Sequence, residues 1–307
     1  MRKIAIVQRA AIRNSIRESV DIMITAMHDA AAESAKIVVF GESWLCGYPA
    51  WIDSCAGVAQ WNNEHVKEAW AEIYQNAIAR DSPLLSELQE TAKSLGLTLL
   101  FGCNERIDVG KGNSTLYNSI MTISDAGEIV NHHRKLMPTF NEKLIHGLGD
   151  GAGLQVVQTE LGRVGSLICW EHWMPLTRQA MHDQAEDIHF ALWPHVIDRH
   201  LLASRHYAFE GRCYVVAVGQ ILHTKDFPDD LEIHEDLKKQ KLVLKGGSCL
   251  IGPDGSLLTE QDYSEDIIYM EIPDEKELIK ERMSLAVSGH YQRDDIFTFT
   301  VNKERRV

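Results

Sequence analysis

Lys3-Ile-Ala-Ile-Val-Gln8, then a helical pattern over Asn14 to Ser34, then Ile37-Val-Val-Phe40, decide the reading of the fold. The two short runs are continuously apolar, as in strands covered on both faces, while the segment between them repeats apolar residues at helical spacing. The result is a strand-helix-strand opening. Further along, Pro83 after Asp81 and Ser82 fits the first turn of a helix that runs to about Leu95, where Gly96 ends it, and Thr98 to Phe101 is the next strand. Asn118 to Ser124 and Glu128 to His133 read as a hairpin about Asp125-Ala-Gly127.

The second half repeats this style. Arg163 to Ile168 is a strand, Pro175 to His182 a helix, Ile188 to Leu192 a strand, Arg199 to Arg212 a helix and Tyr214 to Gly219 a strand. Gly247 to Ile251 and Ser256 to Leu258 form a hairpin around Gly252-Pro-Asp-Gly255, and Ile267 to Ile272 is a last strand. Alternating buried strands and helices argue for a layered α/β fold with mixed sheets. Pro and Gly never cluster into a linker, so residues 1–307 read as one domain.

Composition narrows the function. The chain has 307 residues, and 44 acidic against 31 basic residues leave a formal charge of -13. Such a surface repels phosphate backbones and anionic lipid, so nucleic acid and membrane are not expected partners. The apolar run after Arg2 and Lys3 stops at Gln8, too short for a signal-peptide core, and no run approaches the ~18 residues of a membrane span. The six cysteines (46, 55, 103, 169, 213 and 249) lack the regular spacing of a disulfide framework. They read as reduced thiols of a cytoplasmic protein. Lys225 to Lys245 is dense in charge and reads as a solvated loop with a short helix, or as a cover over a pocket.

Three residues stand out for chemistry. Cys169 closes the apolar strand Val164-Gly-Ser-Leu-Ile168 at a strand-to-helix turn, where backbone N–H groups can hold developing negative charge. Glu42 emerges just past the strand Ile37 to Phe40, at the kind of strand end where ligand sites of α/β sheets gather. Lys135 ends the basic run His132-His-Arg-Lys135 after another strand. A thiol, a base and a cation leaving three strands suit nucleophilic catalysis, because the thiol must become a thiolate.

Gly41-Glu-Ser43, His133-Arg-Lys-Leu-Met-Pro138 and Cys169-Trp-Glu-His-Trp-Met-Pro175 resemble, in order, the three catalytic segments of the nitrilase superfamily, the last being similar to the nitrilase branch. Pro138-Thr-Phe-Asn-Glu142, Gly147-Leu-Gly-Asp-Gly151, Ala208-Phe-Glu-Gly-Arg212, Gly252-Pro-Asp-Gly255 and Gly289-His-Tyr291 extend the resemblance over nearly the whole chain. It implies a four-layer α-β-β-α sandwich of two mixed sheets, pairing through helices into a homodimer or higher oligomer, with no cofactor. It also implies Cys169 as nucleophile, Glu42 as general base and acid, Lys135 as the stabilising cation and Glu142 as a second, positioning glutamate. The substrate would be a small-molecule nitrile, converted to carboxylic acid and ammonia through a thioimidate and a thioester. Two positions depart from the pattern: His195 in Trp193-Pro-His195 stands where a small polar residue is commoner, which bears on substrate size, and Asp294 follows Arg293 where proline is common. Little chain follows Gly289-His-Tyr291, which argues against large spirals.

Trp44, Tyr48, Trp51, Trp170, Trp173 and Trp193 fall around these segments, as core or as the wall of an apolar pocket. Tyr48, Trp170, Trp193 and His195 are the expected substrate contacts. The 14 histidines form no His-Glu-x-x-His, and no cysteine pair has Cys-x-x-Cys spacing, so no metal is expected. An amidase or carbamoyl-amide hydrolase would use the same three residues, and a catalytically idle binding protein could keep the same fold.

Overall fold

Alternation along the first strand sends Ile4 and Ile6 to one face and Ala5 and Val7 to the other, and the two sets are buried in different apolar clusters. That doubly covered strand is the key to the architecture of residues 2–306, described here by a computed structural model. The strands are β1 (Lys3–Val7), β2 (Ile37–Leu45), β3 (Thr98–Ile107), β4 (Thr115–Ile123), β5 (Ile129–Arg134), β6 (Val157–Thr159), β7 (Gly162–Ile168), β8 (Ile188–Leu192), β9 (Tyr214–Val218), β10 (Ile221–His223), β11 (Leu242–Lys245), β12 (Cys249–Ile251) and β13 (Ile267–Glu271). The helices are α1 (Ile16–Ala32), α2 (Trp51–Ser54), α3 (Glu64–Asn76), α4 (Pro83–Leu95), α5 (Pro175–His182), α6 (Asp198–Gly211), α7 (Glu235–Lys238) and α8 (Glu275–Arg282).

Two mixed sheets share one plan. In the first, ordered β13-β1-β2-β3-β4-β5, the strands β1, β2 and β3 are parallel and the outer ones antiparallel. In the second, ordered β12-β9-β8-β7-β6, the parallel trio is β7, β8 and β9. Ile4, Ile6, Val39, Leu100 and Ile120 pack against Leu167, Phe190 and Val216 between the sheets. On the outer face of the first sheet, Val7, Val38, Phe40, Leu99 and Phe101 meet Met23 and Met27 of α1 and Leu85 and Leu88 of α4. On the second sheet, α5 and α6 bring Met181 and Ala203 into the core. The layers are therefore α-β-β-α, as expected from the sequence. Among the described residues, no helix is long and apolar enough to cross a membrane.

The sequence boundaries hold best where capping chemistry is explicit. In α4 the Ser82 hydroxyl accepts from the Leu84 N–H, Pro83 opens the helix and Gly96 closes it with φ +61°. Elsewhere the structure corrects the reading. The strand expected over Ile37 to Phe40 runs on to Leu45, and the one expected over Thr98 to Phe101 runs on to Ile107. Their extensions carry Glu42, Ser43, Asn104 and Glu105, polar but fully buried, so the apolar signal stops while the strand continues. The register of β2 against β3 shifts between Phe40 and Leu45, and Ser43 takes φ +50°. Gly102 allows this bend: a Cβ there would lie 2.1 Å from the Gly41 carbonyl oxygen.

The hairpin after Gly247 is reduced to the three-residue β12 and an Ile251–Leu257 bridge. Helices α3 and α8 were not apparent in the sequence, since α3 buries only Ala69 and Ile73 fully and α8 only Leu278. The charged stretch Lys225 to Lys245 contains α7 and β11, which pairs with β10, while Phe227, Leu231 and Leu244 sink into a third cluster with Trp51 and Ile73.

Candidate active site

Three strand ends deliver the candidate residues to one place. Glu42 lies in the bent end of β2, Lys135 directly follows β5 and Cys169 directly follows β7. Cys169 has φ +51°, a left-handed conformation that a side-chain-bearing residue adopts only when its surroundings impose it. Glu142 sits in the 3-10 turn Phe140–Leu144, where its carboxylate accepts from the Thr139 N–H at 2.9 Å. All four side chains are buried.

The Lys135 ammonium is shared between both glutamates. It donates to Glu42 Oε1 at 2.9 Å and to Glu142 Oε1 and Oε2 at 2.9 and 2.6 Å. Asn118 Nδ2 also donates to Glu42 Oε1, at 2.8 Å, and the Tyr48 hydroxyl donates to Glu142 Oε1 at 3.0 Å. Glu42 Oε2 has no hydrogen-bond partner among the described residues. A carboxylate oxygen of each glutamate and the Cys169 Sγ lie within 4.8 Å of one another. The Glu42 carboxylate, one of its oxygens left without a partner among the described residues, thus stands near the thiol.

Burial and charge set the protonation states. Burial, opposed by Lys135, pushes the Glu42 carboxyl up to about 7, poised to take or give a proton near neutrality. Burial also raises Glu142, but Lys135 and the Thr139 N–H more than reverse this and hold it below its ordinary value. Lys135 loses by burial and gains more from Cys169 and the two glutamates, so it stays a cation. Burial and then the Glu42 charge hold the Cys169 thiol well above its usual range, while Lys135 and the Trp170 N–H pull the other way. The resting nucleophile candidate is a thiol with a base at hand.

Several supporting residues escaped sequence reasoning. Glu171 accepts from the Ile168 N–H and the Leu136 N–H, both at 2.8 Å, and from His133 Nε2 at 2.9 Å. One carboxylate thereby ties the residue before Cys169 to the residue after Lys135. Burial would raise it, but His133 and the two N–H groups hold it below the carboxylate range. Gln220, in the connection just past β9, donates to the Glu42 carbonyl at 2.5 Å. Glu171 stands within the Cys169 to Pro175 motif, but two of its three partners, Leu136 and His133, are 35 and 38 positions away and leave no local signal.

Above Cys169 opens a cleft of about 450 Å³, lined by Tyr48, Thr139, Phe140, Glu142, Trp170, Pro194, His195, Arg199, His200, Val243 and Leu244 among others. This volume suits a small molecule. Tyr48, Trp170 and His195 thus stand at the cleft. Trp193 does not: its indole is fully buried, donates to Ser204 Oγ at 3.0 Å and stacks on His200 with centroids 4.4 Å apart. An indole beneath the floor satisfies its N–H within the protein and supports the wall without touching its space. Trp44 is likewise core, donating to the Arg9 carbonyl at 2.6 Å. Val243 and Leu244 come from the charged stretch, so its β11 end forms part of the cleft wall.

Glu42, Glu142 and Cys169 also have the donor types and spacing of a metal site. Lys135 already bridges the two carboxylates, occupying the position that a cation would take. The arrangement can support a proton exchange between thiol and carboxylate beside a fixed positive charge.

The chain has relatives among known proteins. The sequence matches the carbon-nitrogen hydrolase family over residues 3–279. It is 33% identical to an aliphatic nitrilase of Sinorhizobium fredii over 98% of this chain and 95% of that protein. A nitrilase of Pseudomonas syringae pv. syringae is 34% identical over 98% of this chain and 89% of its own. Among solved structures, a carbon-nitrogen hydrolase from Helicobacter pylori G27 superposes with a TM-score of 0.68, covering 96% of both chains at 18% identity, a likeness of fold.

Proposed function

We propose that this chain, which belongs to the carbon-nitrogen hydrolase family, is an enzyme that converts a small nitrile to the carboxylic acid and ammonia, with Cys169 as its nucleophile. The observation that carries the reading is the shared ammonium of Lys135 between Glu42 and Glu142, with the Glu42 carboxylate within 4.8 Å of the Cys169 thiol. Full-length identity of about a third to proteins named nitrilases favours a nitrile over an amide as substrate.

The geometry supports the following chemistry. Glu42 Oε2 takes the thiol proton as sulfur bonds to the nitrile carbon, and the same carboxyl returns that proton to nitrogen, giving a thioimidate. Glu42 then takes a proton from water, which adds to the carbon and leaves it bonded to sulfur, oxygen and nitrogen. With nitrogen protonated, ammonia departs and a thioester remains. A second water, again activated by Glu42, releases the acid and restores the thiol. Two waters are consumed for each nitrile. Lys135 and the Trp170 N–H stabilise negative charge on the intermediates, and Glu142 keeps Lys135 aimed at Glu42.

If sulfur leaves before nitrogen, the product is the amide. A difference of ~1.4 kcal/mol between the two exits changes the product ratio about tenfold. Acid is the main product in this reading, and bulkier or electron-poor nitriles raise the amide share. Tyr48, Trp170 and His195 would contact the substrate.

The whole chain would act as one domain and pair through α5 and α6, where Leu176 is 69% exposed and Leu202 is 61% exposed. Chromatography of products from a panel of nitriles and amides tests the assignment. Amide as the dominant product throughout, or turnover of amides alone, would replace it with a hydratase-like or amidase activity.

A further inference from the structure

From the Cys169 carbonyl, and not among the residues that line the cleft, runs a line of buried titratable groups that the chemistry above does not use. His172 Nδ1 lies 2.7 Å from the Cys169 carbonyl oxygen. His172 Nε2 lies 3.0 Å from His189 Nε2, and His189 Nδ1 lies 2.7 Å from Glu186 Oε1. The Tyr207 hydroxyl donates to Glu186 Oε2 at 2.5 Å. All four side chains are buried. The carboxyl enters because residue 165 is glycine: a Cβ there would lie 1.5 Å from Glu186 Oε1.

One fixed end sets the direction of every hydrogen bond. A carbonyl oxygen only accepts, so His172 Nδ1 carries its proton. A neutral His172 then has a bare Nε2, which needs a donor, so His189 carries its proton on Nε2. His189 Nδ1 is then an acceptor, and its donor is a protonated Glu186, whose other oxygen accepts from Tyr207. Each contact is satisfied with one proton and no net charge.

From this geometry, resting on Cys169 as nucleophile, we propose that His172, His189 and Glu186 form a positioning relay that holds the Cys169–Trp170 peptide in its catalytic orientation only while Glu186 carries a proton. The peptide is planar and trans, so fixing its carbonyl toward His172 aims the Trp170 N–H the opposite way, toward the thiol. Loss of the Glu186 proton makes His189 Nδ1 the donor to the carboxylate. The lone pairs then face each other along the line, or His172 turns its bare Nδ1 to the carbonyl, and the peptide loses its anchor.

Surroundings favour the neutral state. Burial holds both imidazoles below their usual range, His172 down to about 3 with His189 adding to the effect, and burial pushes Glu186 up to about 7. The groups facing Glu186 are His182, whose Nδ1 is 3.8 Å away, Tyr207, His189, Cys213, Asp187 and Arg282. Arg282 is itself paired with Asp187 at 3.0 Å, and His182 Nε2 donates to the Glu210 carboxylate at 3.2 Å. His172 also faces Glu171 and His200.

Two measurements on the full-length protein test the relay. Nitrogen-15 NMR of histidine-labelled protein at pH 6 is expected to find the Nδ1–H tautomer at His172 and the Nε2–H tautomer at His189. A doubly protonated His172, or a proton on His189 Nδ1, overturns the assignment. In kinetics, Glu186→Gln keeps the direction of the chain, since its amide donates to His189 and its oxygen accepts from Tyr207. It should retain kcat near pH 6 and lose the alkaline fall that the relay predicts for the unsubstituted enzyme. Glu186→Ala should lower kcat about 10- to 100-fold at unchanged KM, part of what an oxyanion donor supplies. An alkaline limb unchanged in Glu186→Gln, or a full kcat in Glu186→Ala, refutes the relay. Cys169→Ala run alongside separates the two ideas: if it turns over, the nucleophile assignment fails, while the tautomers still report on the relay.

Discussion

Replacing Glu171 with alanine removes the one group that joins the Lys135 and Cys169 segments. Two backbone N–H groups, the buried one of Ile168 and the half-buried one of Leu136, lose acceptors at 2.8 Å, and His133 loses its carboxylate. Each stranded backbone donor costs about 1–3 kcal/mol, so the pair destabilises the fold by roughly 2–6 kcal/mol. At about 2–4 °C per kcal/mol, the melting temperature falls by at least ~4 °C. The same loss frees the turn that holds the thiol, and a ~1 Å misplacement of a reacting group can cost about a hundredfold in rate. Calorimetry and steady-state kinetics on Glu171→Ala and Glu171→Gln measure both effects. Glutamine keeps an oxygen for one N–H but turns its own donors toward the other, so it should fall between alanine and glutamate. A Glu171→Ala protein within 1 kcal/mol of the parent in stability and with full kcat would refute this account of the carboxylate.

Three further outcomes are expected. Because burial raises Glu42 to about 7 and the base form is the competent one, the acid limb of kcat/KM should lie near 7, below the alkaline fall expected from Glu186, and an acid limb near the ordinary value of 4.5 would contradict the assignment. Glu105 is held far below the carboxylate range: burial alone would raise it, but His132 and Arg134 outweigh that, so its stabilisation is present above its unfolded pKa and is lost as pH falls below it. Denaturation between pH 6 and 3 should therefore show a steeper loss for the parent than for Glu105→Gln. Light scattering should find a dimer or larger assembly, and an active monomer would remove the role given to α5 and α6.

Much of this was legible in the sequence because local chemistry announced it. Ser82, Pro83 and Gly96 bound α4 by capping, and the continuous apolar runs of β1, β7 and β8 marked strands covered on both faces. Glu42 and Cys169 stood out because each follows an apolar run, whereas Lys135 follows the basic stretch His132-His-Arg134 and joined them through the resemblance of the three segments to one family. The pattern failed where burial and polarity coincide. The ends of β2 and β3 carry charged residues in full burial, paid for by partners up to 178 positions away, such as Gln220 on the Glu42 carbonyl. Glu171, Glu186 and His189 look like ordinary polar residues until the sheets bring their partners together. Trp193 failed in the opposite sense: an aromatic next to a motif suggested a pocket wall, but Ser204 and His200 hold it in the core.

The central claim is a covalent bond between substrate carbon and the sulfur of Cys169. Mass spectrometry of enzyme quenched with acid during turnover of a slow nitrile tests it most directly. The expected result is an acyl or imidoyl adduct on the peptide containing Cys169, absent from an inactive Cys169→Ala protein. Steady turnover by Cys169→Ala, or sustained turnover of the parent with no adduct on that peptide, would contradict it.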